Sequence, residues 1–270
     1  MALNGLSQIN VEMSSICNKN CGLCGRRKYD REHGTQDYGY MPLELVKTIA
    51  EQIPENITIG THWNGEPLTH PQLGEALTYL KKRNCFIYAV SNGKLLMEKR
   101  DDIANNLSSI SISVIEGDEE WERELQYKIL KQYISSVSYL NLPVVILRFV
   151  GIISDEQRYI ELGLPIVRRT LHAPQGSFNY RKPPVIPEHG VCQDLLSRLA
   201  VDRYGNISIC VRLDIEQKLV LGNINDGMTL DQAWNSEKRL KIKELHITGK
   251  RHESGFCHTN CQFYGVPTSD

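Results

Sequence analysis

The chain has 270 residues, and its 31 Lys and Arg nearly cancel 32 Asp and Glu to leave a formal net charge of −1. No broad basic field therefore advertises a nucleic acid or a membrane surface as partner. The length suits one large domain, or one domain with a smaller appendage.

In chain order, 9–14 (INVEMS) predicts a strand and 42–53 a helix with Pro42 in its first turn. Residues 56–63 predict a strand, 71–83 a helix, 85–91 a strand, 95–106 a helix and 108–115 a strand. The span 118–135 carries a helical pattern with acidic residues at its start, which suits the helix dipole. A buried strand over 142–152, a short helix over 155–163 and a strand over 165–171 follow. Six strand–helix alternations imply a parallel sheet with crossover helices. An open partial barrel and a doubly wound sheet both fit, and either collects functional residues at the C-terminal strand ends.

The alternation stops in the Pro- and Gly-rich segment 172–190, which reads as a linker or a substrate-facing loop. Beyond it, 197–214 predicts a hairpin around Tyr204-Gly205-Asn206, and 229–249 one or two helices. This last part reads as a separate small module.

The opening stretch MALNGLSQINVEM lacks a basic segment followed by an apolar one, and no run of about 18 apolar residues occurs. A cytoplasmic chain is expected. Its eight cysteines then point to metal or redox chemistry rather than disulfides. Cys17, Cys21 and Cys24 stand at C-x3-C-x2-C spacing after the first predicted strand. A structural zinc site wants four ligands, and the nearest later histidine is His33. An iron–sulfur cube held by three thiolates leaves one iron open. Spacing alone leaves both metals open.

The cysteine triplet in that position resembles the signature of the radical S-adenosylmethionine (SAM) superfamily. Asn64-Gly65-Glu66-Pro67, one unit later, resembles the family's GGEP motif. The resemblance implies an α/β chain: a partial (β/α)6 TIM-like barrel over 1–185 with a small twitch-type auxiliary-cluster module over 186–270. It further implies a SAM-binding 4Fe-4S cluster on Cys17, Cys21 and Cys24, with SAM on the open iron. The SAM amino group is expected at Asn64, Gly65, Glu66 and Pro67. The Ser91-Asn92-Gly93 segment resembles the family's T-N-G. Ser113 is a candidate for a sugar hydroxyl of SAM, and Arg148 for its carboxylate. Asn64 replaces the first glycine of GGEP, and Gly25 replaces the aromatic residue that often follows the third cysteine.

Cys192, Cys210, Cys257 and Cys261 form a closed set of four in the C-terminal module, suited to zinc or to a second cluster. With the stretches AVDRYGNISIC and LGNINDGMTLDQAWNS, the set resembles the twitch module, a shortened SPASM domain with one auxiliary 4Fe-4S cluster. Cys85 opens an apolar strand and reads as a core residue.

Twitch-bearing radical SAM enzymes of this size resemble dehydrogenases that oxidise an aminocyclitol hydroxyl. The implied activity is hydrogen abstraction from a small polar, sugar-like molecule and oxidation of a hydroxyl to a ketone. The electron would leave through the auxiliary cluster, and flavodoxin or ferredoxin would supply the reducing electron. Epimerisation, with Cys85 as hydrogen donor, and peptide modification remain as alternatives; a zinc-stabilised binding protein is the non-enzymatic one. Arg168, Arg169, His172, Asn179 and Arg181 crowd the last strand and linker. Adjacent strand residues point oppositely, so one of Arg168 and Arg169 faces inward. Arg169 is the candidate to act on the substrate.

Overall fold

The computed structural model describes residues 3–22, 24–81, 84–136, 143–169, 191–211, 214 and 217–259. His172, Asn179, Arg181, Cys261 and the expected boundary at 185/186 lie outside the described residues.

Six strands alternate with helices through the first two-thirds of the chain. They are β1 (Gln8–Val11), β2 (Thr58–Gly60), β3 (Phe86–Ser91), β4 (Ser109–Ile115), β5 (Val144–Val150) and β6 (Ile166–Arg169). Between them run α1 (Gly25–His33), α2 (Leu43–Gln52), α3 (Leu73–Lys81), α4 (Arg100–Asn106), α5 (Glu120–Ser136) and α6 (Glu156–Ile160). Each strand from β2 to β6 pairs in parallel with its predecessor.

The strands alternate in burial because successive side chains leave opposite faces. Val145, Leu147 and Phe149 of β5 are buried, whereas Ile146, Arg148 and Val150 line a cavity. On β4 the outer Ile110, Ile112 and Val114 have no exposed surface, and the inner Ser111 and Ser113 line the same cavity. The helices supply the other half of the core through amphipathic faces such as Leu45, Val46 and Ile49 of α2. Burying each such side chain is worth about 1.5–3 kcal/mol. Alternate residues from β1, β3, β4, β5 and β6 meet around one cavity, so the sheet curls into the expected partial barrel.

The C-terminal elements are α7 (Gln193–Ser197), β7 (Arg198–Val201), β8 (Asn206–Ser208), β9 (Val220–Asn223), α8 (Leu230–Trp234), α9 (Glu237–Ile247) and α10 (Phe256–Thr259). The predicted hairpin is present as antiparallel β7 and β8. Its first strand docks in parallel on β1, with Gln8 opposite Arg198 and Val11 opposite Val201. One nine-stranded sheet results, ordered β6-β5-β4-β3-β2-β1-β7-β8-β9. The separateness expected of the C-terminal part does not extend to the sheet, which runs unbroken from barrel to hairpin. In the two predicted C-terminal helices, α8 starts with a capping box: Gln232 N–H donates to the Thr229 hydroxyl at 3.2 Å, and Thr229 N–H donates to the Gln232 side chain at 2.8 Å.

Candidate SAM and cluster site

The expected cluster cysteines and the Asn64–Pro67 stretch come from the loops at the C-terminal ends of β1 and β2, which hydrogen bonds staple to each other and to the loop after β3, while Ser113 and Arg148 stand on β4 and β5. Glu66 N–H donates to Ile16 carbonyl at 2.8 Å, and the Ser14 and Thr69 hydroxyls share a hydrogen bond of 2.7 Å. A Cβ on Gly65 would stand 2.2 Å from the Ser14 carbonyl oxygen and 2.7 Å from that of Ile16. Only glycine permits this close approach of the Asn64–Pro67 loop to the chain entering Cys17. Glu12, buried just beyond β1, accepts the N–H of Asn64 at 2.9 Å and that of Arg203 at 3.3 Å. Burial raises its carboxyl above the ordinary range, and nearby Asp202 adds to the rise.

Glu66 does not present its carboxylate to the cavity. It is 3% exposed and spends its oxygens on the backbone N–H groups of Leu68, at 3.1 Å, and Asn92, at 2.7 Å. Burial pushes its carboxyl up to about 7. Asn92, from the segment likened to T-N-G, joins all three loops. Its side chain donates to Asn18 at 2.7 Å and lies 3.9 Å from the Cys17 sulfur, while its carbonyl accepts from Gln126 at 2.7 Å.

Cys17, Cys21 and Cys24 are half-buried, and Cys24 stands at the N-cap of α1. Burial raises the Cys17 thiol and pushes Cys21 up to about 12. The thiols of Cys17 and Cys24 also raise Cys21, so the three sulfurs sense one another's charge. Among the described residues no three His, Cys, Asp or Glu side chains converge tightly enough for one metal ion. In an iron–sulfur cube each thiolate binds its own iron, so convergence on one point is not required. Thiols that stay protonated alone and surrender their protons to a metal suit that role.

Inside this loop Lys19 forms a buried ion pair with Asp118, from the turn after β4. Arg27 donates to the Lys19 carbonyl at 2.9 Å, and the buried Arg26 donates to the Ser15 carbonyl and stacks 4.1 Å over the Tyr38 ring. The sequence reading passed over these basic residues. The signal for Arg26 and Arg27 was the run Arg26-Arg27-Lys28, one residue past the third cysteine.

Gly65, Ser113, Arg148 and Arg169 line one cavity of about 580 Å³ on the inner face of the sheet. Its inner part is polar. Gln8 donates to Asn10 at 2.7 Å and to the Tyr88 hydroxyl at 2.8 Å, and Asn10 donates to the His62 carbonyl at 3.1 Å. Of the two adjacent arginines, Arg169 lines the cavity, whereas Arg168 turns outward to Glu156 at 2.9 Å. Asn64 lies instead on a second cavity, across Trp63. Pro67 is buried at the start of a short 3-10 turn, Pro67–Thr69.

In the C-terminal part Cys192 N-caps α7, Cys210 follows β8 and Cys257 lies in α10. These three are half-buried and pack against the hydrophobic core. The buried ring of His246 accepts the Cys192 N–H at 3.5 Å. Cys85 sits at the opposite end of the barrel, where its thiol donates to the Pro54 carbonyl at 3.5 Å.

The profile of the radical SAM superfamily matches residues 11–141, and that of the SPASM iron–sulfur cluster-binding domain matches residues 192–262. The chain is 26% identical over 273 residues to the S-adenosyl-L-methionine-dependent 2-deoxy-scyllo-inosamine dehydrogenase of Niallia circulans, covering 98% of this chain and 96% of that one. The structure of BtrN in complex with AdoMet and 2-DOIA superposes with a TM-score of 0.65 at 20% identity, over 94% of this chain and 92% of that one. Streptococcus suis SuiB bound to the precursor peptide SuiA gives a TM-score of 0.64 at 12% identity, over 88% of this chain and 66% of that one. These structural likenesses concern the fold. Triplet, loop and barrel at one end and the second cysteine set at the other agree with the two profiles: the chain is a radical SAM enzyme with a C-terminal SPASM-type iron–sulfur domain.

Proposed function

We propose that the chain is a SAM-dependent dehydrogenase that oxidises a hydroxyl of a small polyhydroxylated molecule held in the barrel. The observation that carries this reading is the single cavity in which Gly65, Ser113 and Arg148 share a wall with the polar groups of Gln8, Asn10 and Tyr88. Likeness to the 2-deoxy-scyllo-inosamine dehydrogenase along nearly the whole chain supports it.

When bound and reduced, the first cluster and SAM supply a radical able to take hydrogen from an unactivated C–H bond. Cys17, Cys21 and Cys24 would hold that cluster. The backbone of Asn64–Pro67 would meet the SAM amino group, Ser113 a ribose hydroxyl and Arg148 the carboxylate. Glu66 serves by fixing loop shape, since its oxygens already hold Leu68 and Asn92. Gln8, Asn10 and Tyr88 offer donors and acceptors that orient substrate hydroxyls toward the SAM side. Cys192, Cys210, Cys257 and Cys261 would hold the auxiliary cluster that takes the second electron. A small electron carrier such as flavodoxin or ferredoxin would reduce the first. Epimerisation through Cys85 is disfavoured, because that thiol lies at the far end of β3 and does not line the cavity.

Anaerobic reconstitution with iron and sulfide tests the reading. A brown protein with about eight irons per chain, one 5′-deoxyadenosine formed per ketone product and no solvent deuterium in an isomeric product is expected. A colourless protein with two zinc ions, or deoxyadenosine without any ketone, would overturn it.

A further inference from the structure

The barrel cavity is lined, among the described residues, by three arginines, Arg148, Arg169 and Arg198, and by no aspartate or glutamate. The second cavity, of about 490 Å³, has the opposite character: Glu12, Asp37, Asp202 and Asp214 line it with one arginine, Arg26. Trp63 belongs to both walls, so the arginine-lined cavity and the carboxyl-lined one meet at a single residue. A molecule whose only charge is an ammonium would meet cations in the barrel and, among the described residues, no carboxylate to offset its desolvation.

We propose that the barrel substrate is an anionic polyol, a sugar-like molecule bearing a phosphate or a carboxylate, and that Arg169 binds its anion. The proposal rests on the dehydrogenase reading and names the substrate class for it.

The three guanidiniums are not equivalent. Arg198 is already paired with Asp194 at 3.0 Å. Arg148 stands opposite Ser113 in the β4–β5 register, among the residues assigned to SAM. Arg169 has no hydrogen-bond or ion-pair partner for its side chain among the described residues, although its neighbour Arg168 is spent on Glu156. It also pairs opposite Val150, two positions beyond the Arg148–Val167 pair, which sets it at the mouth at the C-terminal end of β6. An anion held there lets the hydroxylated body reach inward to Gln8, Asn10 and Tyr88. A guanidinium fork matches both phosphate and carboxylate in planar, bidentate geometry.

The test is calorimetric titration of the full reconstituted chain, loaded with SAM, with three polyols: myo-inositol 1-phosphate, glucuronate and 2-deoxy-scyllo-inosamine. At least one anion is expected to bind more tightly than the amine, and which one binds identifies phosphate or carboxylate. Arg169→Gln should weaken that anion about tenfold or more, Arg169→Lys should restore part of it, and Arg168→Gln should leave it unchanged. Tighter binding of the amine, no binding of either anion, or equal losses in Arg169→Gln and Arg168→Gln would each overturn the proposal. Dithionite-driven formation of 5′-deoxyadenosine by the unaltered chain is read separately. If it is absent while the anion still binds, the dehydrogenase reading fails and the anion site stands.

Discussion

The Glu66 carboxylate accepts the backbone N–H of Asn92 at 2.7 Å, and this bond joins the loop after β2 to the loop after β3. Asn92 in turn reaches Asn18, between the first two cysteines. The loop that begins the cluster site is thus held, through Asn92, by a buried acid.

That acid gives the fold a pH dependence. Its ordinary value of 4.5 rises to about 7 in the folded chain because burial disfavours the charge. The folded state keeps the proton where the unfolded chain has lost it. The associated stability is whole below pH 4.5 and is lost as pH rises through about 7. The span is on the order of 3 kcal/mol. Urea midpoints should fall between pH 5 and pH 8 in the unaltered chain. Glu66→Gln should be less stable throughout, since its amide must face a backbone N–H, and should lack this slope. Equal slopes would refute the assignment.

Gly65→Ala places a methyl against the Ser14 and Ile16 carbonyls, both backbone atoms that cannot swing aside. Overpacking of this kind costs about 1–3 kcal/mol. A lower melting temperature together with weaker SAM binding by equilibrium dialysis is expected. Ala with unchanged SAM affinity would show that the approach of the two loops does not shape the site.

Breaking the buried Lys19–Asp118 pair strands one charge without its partner. Lys19→Met should cost about 3–5 kcal/mol, whereas Lys19→Met with Asp118→Leu should recover most of the loss. Urea unfolding of the three chains decides it. A double variant no better than the single one would mean that the pair is not the source of the cost.

The two cysteine sets should lose iron independently. Joint replacement of Cys17, Cys21 and Cys24 by alanine should remove about four of about eight irons and all SAM-dependent change in the cluster's paramagnetic resonance spectrum. Replacement of Cys192 and Cys210 should remove the other four and leave the SAM response. Complete iron loss from either variant would show one interdependent site.

The alternation of short β-branched runs with amphipathic spans made the six parallel strands legible, because each unit carries its own period. Strand parity made one inward-facing position legible, one of Arg168 and Arg169, whereas Ser113 and Arg148 were reached through the family resemblance. α1 was missed, since GRRKYDREH offers no apolar period; Arg26 and Arg27 help hold it through bonds to Ser15 and Lys19. Glu12 and Asp118 escaped notice because their partners lie 52 and 99 positions away, and no local pattern encodes such pairing; Asn92 was legible within the T-N-G-like segment, but its bond to Glu66, 26 positions away, was not. The motif located the loop of Glu66, but that its carboxylate accepts the backbone N–H groups of Leu68 and Asn92 is set by burial and long-range packing, which no local pattern encodes.

The docking of β7 on β1 has a consequence for how the chain is made. Ser7 N–H donates to the Ser197 carbonyl at 2.8 Å, so β1 waits for a partner 190 positions further on to be synthesised before its second neighbour exists. Until then β1 presents an open hydrogen-bonding edge, a surface that invites wrong pairing in a nascent chain. The contact spans 190 positions, and pairing that non-local slows folding. The barrel therefore keeps an open β1 edge until β7 of the iron–sulfur domain docks, and a chain arrested before that point is expected to be a client for chaperones rather than an inactive enzyme.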